Sequence, residues 1–121
     1  MQRHPRLSRA EWQFLDELPS PERPYLSVIS LWEAAMHQTL GKITFLPSFD
    51  TWLDLAVHQR TVRLLQVTLE IAKEIPKLPA SFHGDPADRI LAATCRVLNL
   101  PLMTHDHRMI RSRAVRIWHP I

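Results

Sequence analysis

Four carboxylates in this chain stand where an apolar, strand-like run passes into a helix-like segment: Glu33, Asp85, Asp88 and Asp106. Asp85 and Asp88 are three residues apart, which sets both side chains on one helix face, and Asp106 lies just past the apolar run LPLMT. Ligands of open α/β sheets gather at the carboxyl ends of strands, so these acids share a site if their strands are neighbours. Carboxylates crowded at one sheet edge repel unless a cation stands among them. Oxygen-only ligation selects Mg²⁺ or Mn²⁺, ions that activate water and offset the charge developing at a phosphodiester. Each acid also fits a plainer role. Glu33 follows Ser30 at capping-box spacing, Asp85 is an N-cap, Asp88 is a first-turn acid and Asp106 is an N-cap to HRMIR. Capping does not explain why all four fall at the same kind of junction.

The elements that must position them follow from periodicity and breakers. Ser8 and Glu11 open a helix over 8–18, with Trp12, Leu15 and Leu18 at helical intervals, and the proline-rich PSPERP stops it. Tyr25 to Ile29 reads as a strand running into a helix that starts at Ser30 and ends at Gly41. A helix is expected over 48–58, with Phe49, Trp52, Leu53 and Val57 on one face, then a strand from Arg60 to Val67 and a short helix from Thr68 to Ile75. After a proline-rich loop, Asp85 and Pro86 start a long helix whose apolar face comprises Ile90, Leu91, Ala93, Thr94, Val97 and Leu98. LPLMT at 100–104 reads as a buried strand, DHRMIR as a short helix and AVRIW at 114–118 as a last strand. Strands alternating with helices predict one α/β domain over residues 1–121, a parallel sheet covered by helices.

Composition excludes several classes. With 121 residues, 45% of them hydrophobic, the chain can bury one core. Its longest uncharged stretches reach about half of the roughly 20 residues of a membrane span, and MQRHPRLSRAEW contains no apolar signal core. Two glycines 43 residues apart cannot build a phosphate-cradling loop, and the single Cys95 makes no internal disulfide, so the cytoplasm is the expected compartment. A net charge of +3 permits nucleic-acid binding through local patches.

SVISLWEAAMHQTLGKI and HGDPADRILAATCRVLNLPLMTHD together resemble the PIN-domain ribonucleases, above all the VapC-like toxins of type II toxin–antitoxin pairs, and the resemblance runs from about His4 to about Trp118. It implies a Mg²⁺- or Mn²⁺-dependent endoribonuclease in which metal-activated water attacks RNA. It assigns the catalytic and metal-ligating acids to Glu33, Asp88 and Asp106. Supporting roles fall to Asp85, Thr104, Ser30 and His83, with Ser27 matching the other family serine. It further implies an RNA substrate, a homodimer and a cognate antitoxin whose peptide arm covers the acidic cleft. The family opens with an apolar strand ending in aspartate, of the form LLDTH, whereas only MQR precedes the matching segment here. The expectation is therefore a PIN-like domain, amino-terminally truncated, without the family's first strand and first catalytic aspartate; Asp16 does not replace it, since it lies inside the expected first helix.

Two other readings belong to different classes: an inactive remnant that only binds a partner, and a basic nucleic-acid-binding regulator without catalysis. Arg89, Arg108 and Arg111 are candidate RNA contacts, with Arg113 and Arg116 nearby and Arg3, Arg6 and Arg9 at the amino terminus. His83, His105 and His107 are the residues a zinc site would draw on. Trp12, Trp32, Trp52 and Trp118 read as core or dimer face before base-stacking platforms.

Overall fold

The computed structural model describes residues 24–58 and 62–118, so the expected helix over 8–18, with Trp12, lies outside the described residues. The chain forms two compact units, Met1–Gln66 and Val67–Ile121.

In the first unit, β1 (Tyr25–Ser27) pairs in parallel with β2 (Arg63–Leu65), Leu26 opposite Leu64. The Arg63 guanidinium lies 3.8 Å from the Tyr25 ring centroid, a cation–π contact across the pair. Helix α1 (Val28–Thr39) follows β1 without a linker, one turn earlier than expected. Ser27 is the cause: its hydroxyl accepts the Ile29 N–H at 3.2 Å, so it ends the strand and caps the helix. Ser30 therefore lies inside the first turn, and Glu33 is not the acid of a capping box. The helix closes as expected around Gly41 at φ 70°, where the Gly41 N–H donates to Gln38 O and the Lys42 N–H to His37 O. Helix α2 (Phe49–Ala56), capped by Ser48, sets Phe49 and Trp52 around buried Phe45, with ring centroids 5.0 and 4.4 Å away.

In the second unit, Thr68 caps α3 (Leu69–Glu74), and a 3₁₀ turn over Ile75–Lys77 carries the chain past Pro76. Helix α4 (Pro86–Leu98) has Asp85 as N-cap and Pro86 at its first position, as expected. Its buried side chains are Ala87, Ala92, Ala93, Thr94 and Cys95, so the packed face is centred on small residues, and Leu98, expected inside, is 43% exposed. Small side chains allow α3 to pack closely on α4, and Arg96 Nε reaches Glu74 Oε2 at 3.0 Å beside that contact. Leu78, Phe82, Ala92 and Met109 form the core, with Leu102, Ala114 and Val115 against it. Fully burying Met109 there contributes about 1.5–3 kcal/mol.

The expected strands at 100–104 and 114–118 shrink to one parallel bridge, Leu102 to Ile117. Pro101 supplies no N–H to a ladder and residues 114–115 bend, so pairing is confined to the bonds Leu102 N–H to Arg116 O and Trp118 N–H to Leu102 O, both 2.8 Å. Helix α5 (His107–Ser112) starts at Asp106 as expected and packs Met109 into the core. The architecture is α/β, with helices and small parallel pairings in the described residues of each unit.

Candidate active site

In the first unit, Ser27, Ser30 and Glu33 lie at the β1–α1 junction. Ser27 is buried, while Ser30 and Glu33 are half-buried and three residues apart on α1. Because α1 begins at Val28, Glu33 stands in its second turn, where neither the helix dipole nor a capping bond accounts for an acid.

The second unit brings most of the remaining candidates together. Asp85 Oδ1 accepts the Asp88 N–H at 3.1 Å, which caps α4 and fixes the backbone of Asp88. Asp88 Oδ2 lies 2.7 Å from His83 Nε2, in a pair whose side chains are only 15% and 17% exposed. An ionised carboxylate offers only lone pairs, so the ring nitrogen donates. The imidazole is stacked on Phe82, centroids 4.4 Å apart and planes at 21°. Arg89 turns back on the same loop: its Nε donates to His83 O at 3.2 Å and its Nη2 to Phe82 O at 3.3 Å.

Asp106 comes from the segment before α5, where Thr104 Oγ1 accepts its N–H at 3.0 Å. Its Oδ1 accepts the N–H groups of Arg108 and Met109, which leaves Oδ2 as the oxygen facing Arg108. Arg108 Nη2 is 3.7 Å from Asp106 Oδ2 and 3.7 Å from Asp88 Oδ2. Two carboxylates from separate segments thus converge on one cationic group, itself half-exposed, as like charges do when a cation offsets their repulsion. Arg111 is exposed in the last turn of α5.

The donors around this point are carboxylate oxygens, with an imidazole holding one of them from behind, and that set suits a hard divalent cation. Among the described residues there is no group of three or more His, Cys, Asp or Glu side chains that could hold a metal ion, neither His83, His105 and His107 nor any three of the acids; the acids that do meet are two, Asp88 and Asp106. Reasoning from sequence named His83, Asp85, Asp88, Thr104 and Asp106, but missed the stacking of His83, the bridging position of Arg108 and the inward turn of Arg89. These depend on how the loops fold, between residues from one to twenty positions apart, for which helical or strand periodicity carries no signal.

Residues 3–114 match the PIN domain family. Over 98 residues, 77% of this chain and 72% of the relative, the sequence is 37% identical to Ribonuclease VapC22 of Mycobacterium tuberculosis (strain H37Rv). No solved structure gives a significant match.

Proposed function

The chain belongs to the PIN-domain family, and from that premise we propose that it is a metal-dependent endoribonuclease, the toxin of a toxin–antitoxin pair. The observation that carries this reading is the convergence of Asp88 Oδ2 and Asp106 Oδ2 on one cationic position, each 3.7 Å from Arg108 Nη2. Glu33, Asp88 and Asp106 are the proposed ligands of Mg²⁺ or Mn²⁺ within one PIN-like domain over 1–121. When bound, the ion lowers the pKa of an attacking water and offsets the negative charge that develops on the phosphodiester.

The chain's own residues prepare that chemistry. His83 holds Oδ2 of Asp88 in place, Asp85 fixes the same residue through its amide, and Thr104 does so for Asp106. Ser30, three residues before Glu33 on α1, is proposed to support it. The exposed Arg111, and Arg108 once an ion takes the place of its guanidinium between the two acids, are the proposed contacts to RNA phosphates, which position the strand without reading its sequence.

An antitoxin and a second copy of the chain are the proposed partners. Trp32 and Met36 on α1 and Leu40 at its C-cap, spaced four apart and 54%, 38% and 60% exposed, favour a protein partner on that helix. No helix of the described residues is long and apolar enough to cross a membrane, and the cytoplasm, where the RNA substrate is, is the proposed compartment.

The test is cleavage of a mixed structured RNA by the purified chain with Mn²⁺, against EDTA and Asp88→Asn controls. Cleavage lost in both controls supports the reading. A folded sample that binds RNA equally well in EDTA and does not cleave overturns it in favour of a nucleic-acid-binding regulator. A sample that neither binds nor cleaves RNA overturns it in favour of a partner-binding module.

A further inference from the structure

Arg89 follows the proposed ligand Asp88 and would ordinarily be read as a surface cation for RNA. The structure gives its guanidinium other partners. Nε donates to the carbonyl of His83 at 3.2 Å and Nη2 to the carbonyl of Phe82 at 3.3 Å, so two donors of one planar group grip two successive carbonyls. Between those carbonyls and α4 lies the loop that carries His83, whose ring is stacked on Phe82 and whose Nε2 meets Asp88 Oδ2 at 2.7 Å. Phe82 is itself buried in the core, 4% exposed, and its N–H closes a turn onto Pro79 O at 2.9 Å.

The loop therefore has three anchors: Phe82 in the core, Arg89 on its carbonyls and His83 on Asp88. The Phe82 ring gives the imidazole a surface to stack on, but a buried phenyl ring alone leaves the following peptide free to turn. A carbonyl pair bound by a charged fork holds that peptide in one orientation, and the direction of the His83 ring follows from it.

We infer that Arg89 is a positioning residue: by clamping the carbonyls of Phe82 and His83 it aims the His83 imidazole at Asp88, and it makes no phosphate contact. The inference rests on the reading of Asp88 as a metal ligand for its effect on turnover, while the clamp stands independently of it.

The experiment compares the full chain with Arg89→Gln, Arg89→Lys, His83→Ala and His83→Ala/Arg89→Gln. Amide hydrogen exchange across residues 80–84 is expected to speed up about tenfold in Arg89→Gln while exchange in α4 beyond its first turn is unchanged. In RNA cleavage with Mn²⁺, Arg89→Gln is expected to lower kcat roughly 10–100-fold with little change in KM. On the His83→Ala background the same substitution costs less than about twofold, because its effect is routed through His83. Binding of single-stranded RNA in EDTA keeps its salt dependence, whereas a lost phosphate contact reduces the slope by about 0.7.

Arg89→Lys keeps the charge but not the two-pronged fork, so a clamp predicts loss of kcat and a phosphate contact predicts near-parental kcat. If Arg89→Gln does not fold, Arg89→Lys and its double variant with His83→Ala carry the same comparison. Unchanged loop exchange, or a reduced salt slope with near-parental kcat in Arg89→Lys, overturns the inference. Faster loop exchange in a chain that does not cleave RNA upholds the clamp and removes the ribonuclease reading alone.

Discussion

His83 Nε2 lies 2.7 Å from Asp88 Oδ2, across the start of α4, with the imidazole stacked on Phe82. The arrangement orients a carboxylate from behind, as carboxylates and imidazoles commonly do for one another around metals. His83→Ala leaves that oxygen facing only Arg108, at 3.7 Å. The expected outcome is a 10–100-fold loss of metal affinity or activity, the usual cost of removing such an outer partner. A Mn²⁺ titration of RNA cleavage measures it. Parental half-saturation and rate in His83→Ala would show that the pair contributes nothing to the site.

Asp85 separates capping from ligation. Its Oδ1 accepts the Asp88 N–H at 3.1 Å, and that bond alone explains an aspartate before Pro86. Asp85→Ala is expected to cost about 1 kcal/mol in urea unfolding, while Asp85→Asn, an equally good cap, stays within a few tenths. RNA cleavage is then expected to survive Asp85→Asn and to be lost in Asp88→Asn. Loss of cleavage in Asp85→Asn at full stability would promote Asp85 from support to ligand.

The packing of the second unit makes a third, purely structural prediction. Met109 anchors α5 in the core at 2% exposure, beside Leu78, Phe82 and Ala92. Met109→Ala empties that position and is expected to destabilise the chain by about 2–5 kcal/mol, with the spread set by how far the neighbours collapse. The same substitution loosens the element that carries Arg108 and starts at Asp106, so cleavage should fall at temperatures where the fold is still populated. Ile110→Ala, one residue on and 40% exposed, is the control and should cost well under 1 kcal/mol in the same urea titration.

These residues also show what a sequence can and cannot disclose. Asp85 before Pro86, Asp106 before HRMIR and Gly41 after α1 were legible because capping is a local bond between neighbours in sequence. Helix α1 starts one turn before the position that Ser30 predicts, because Ser27 and Ser30 are both competent caps and only the fold decides which one ends β1. That correction removes the capping-box explanation of Glu33, which stands half-buried in the second turn of α1. The strands at 100–104 and 114–118 had the right hydrophobicity and nearly no ladder, since pairing depends on Pro101 and on a bend that propensity does not weigh. Arg108 and Arg89 carry the same charge and lie in similar sequence, yet one faces two carboxylates and the other two carbonyls; that difference belongs to loop geometry.

The last prediction concerns pH. Cys95 lies on the packed face of α4, 9% exposed, and burial pushes its thiol up from 9.0 to about 11, with the positive charge of Arg116 pulling modestly the other way. The folded chain therefore holds the proton more tightly than the unfolded chain. Below about pH 9 both states are protonated and the full stability is present. Between about pH 9 and 11 the unfolded thiol ionises first, so stability falls as pH rises, and above about pH 11 the loss is complete. A difference of about two pKa units corresponds to a loss on the order of 3 kcal/mol. Tyrosine and lysine titrate in the same range, so the measurement is the difference between the parent chain and Cys95→Ala in urea midpoints at pH 8 and pH 10.5. The parent is expected to lose more stability than the variant across that interval. Equal losses would mean that Cys95 ionises as readily folded as unfolded. In that case the thiol should also react with iodoacetamide at pH 8 at the rate of an exposed cysteine, whereas a buried, protonated thiol reacts only as fast as the fold opens.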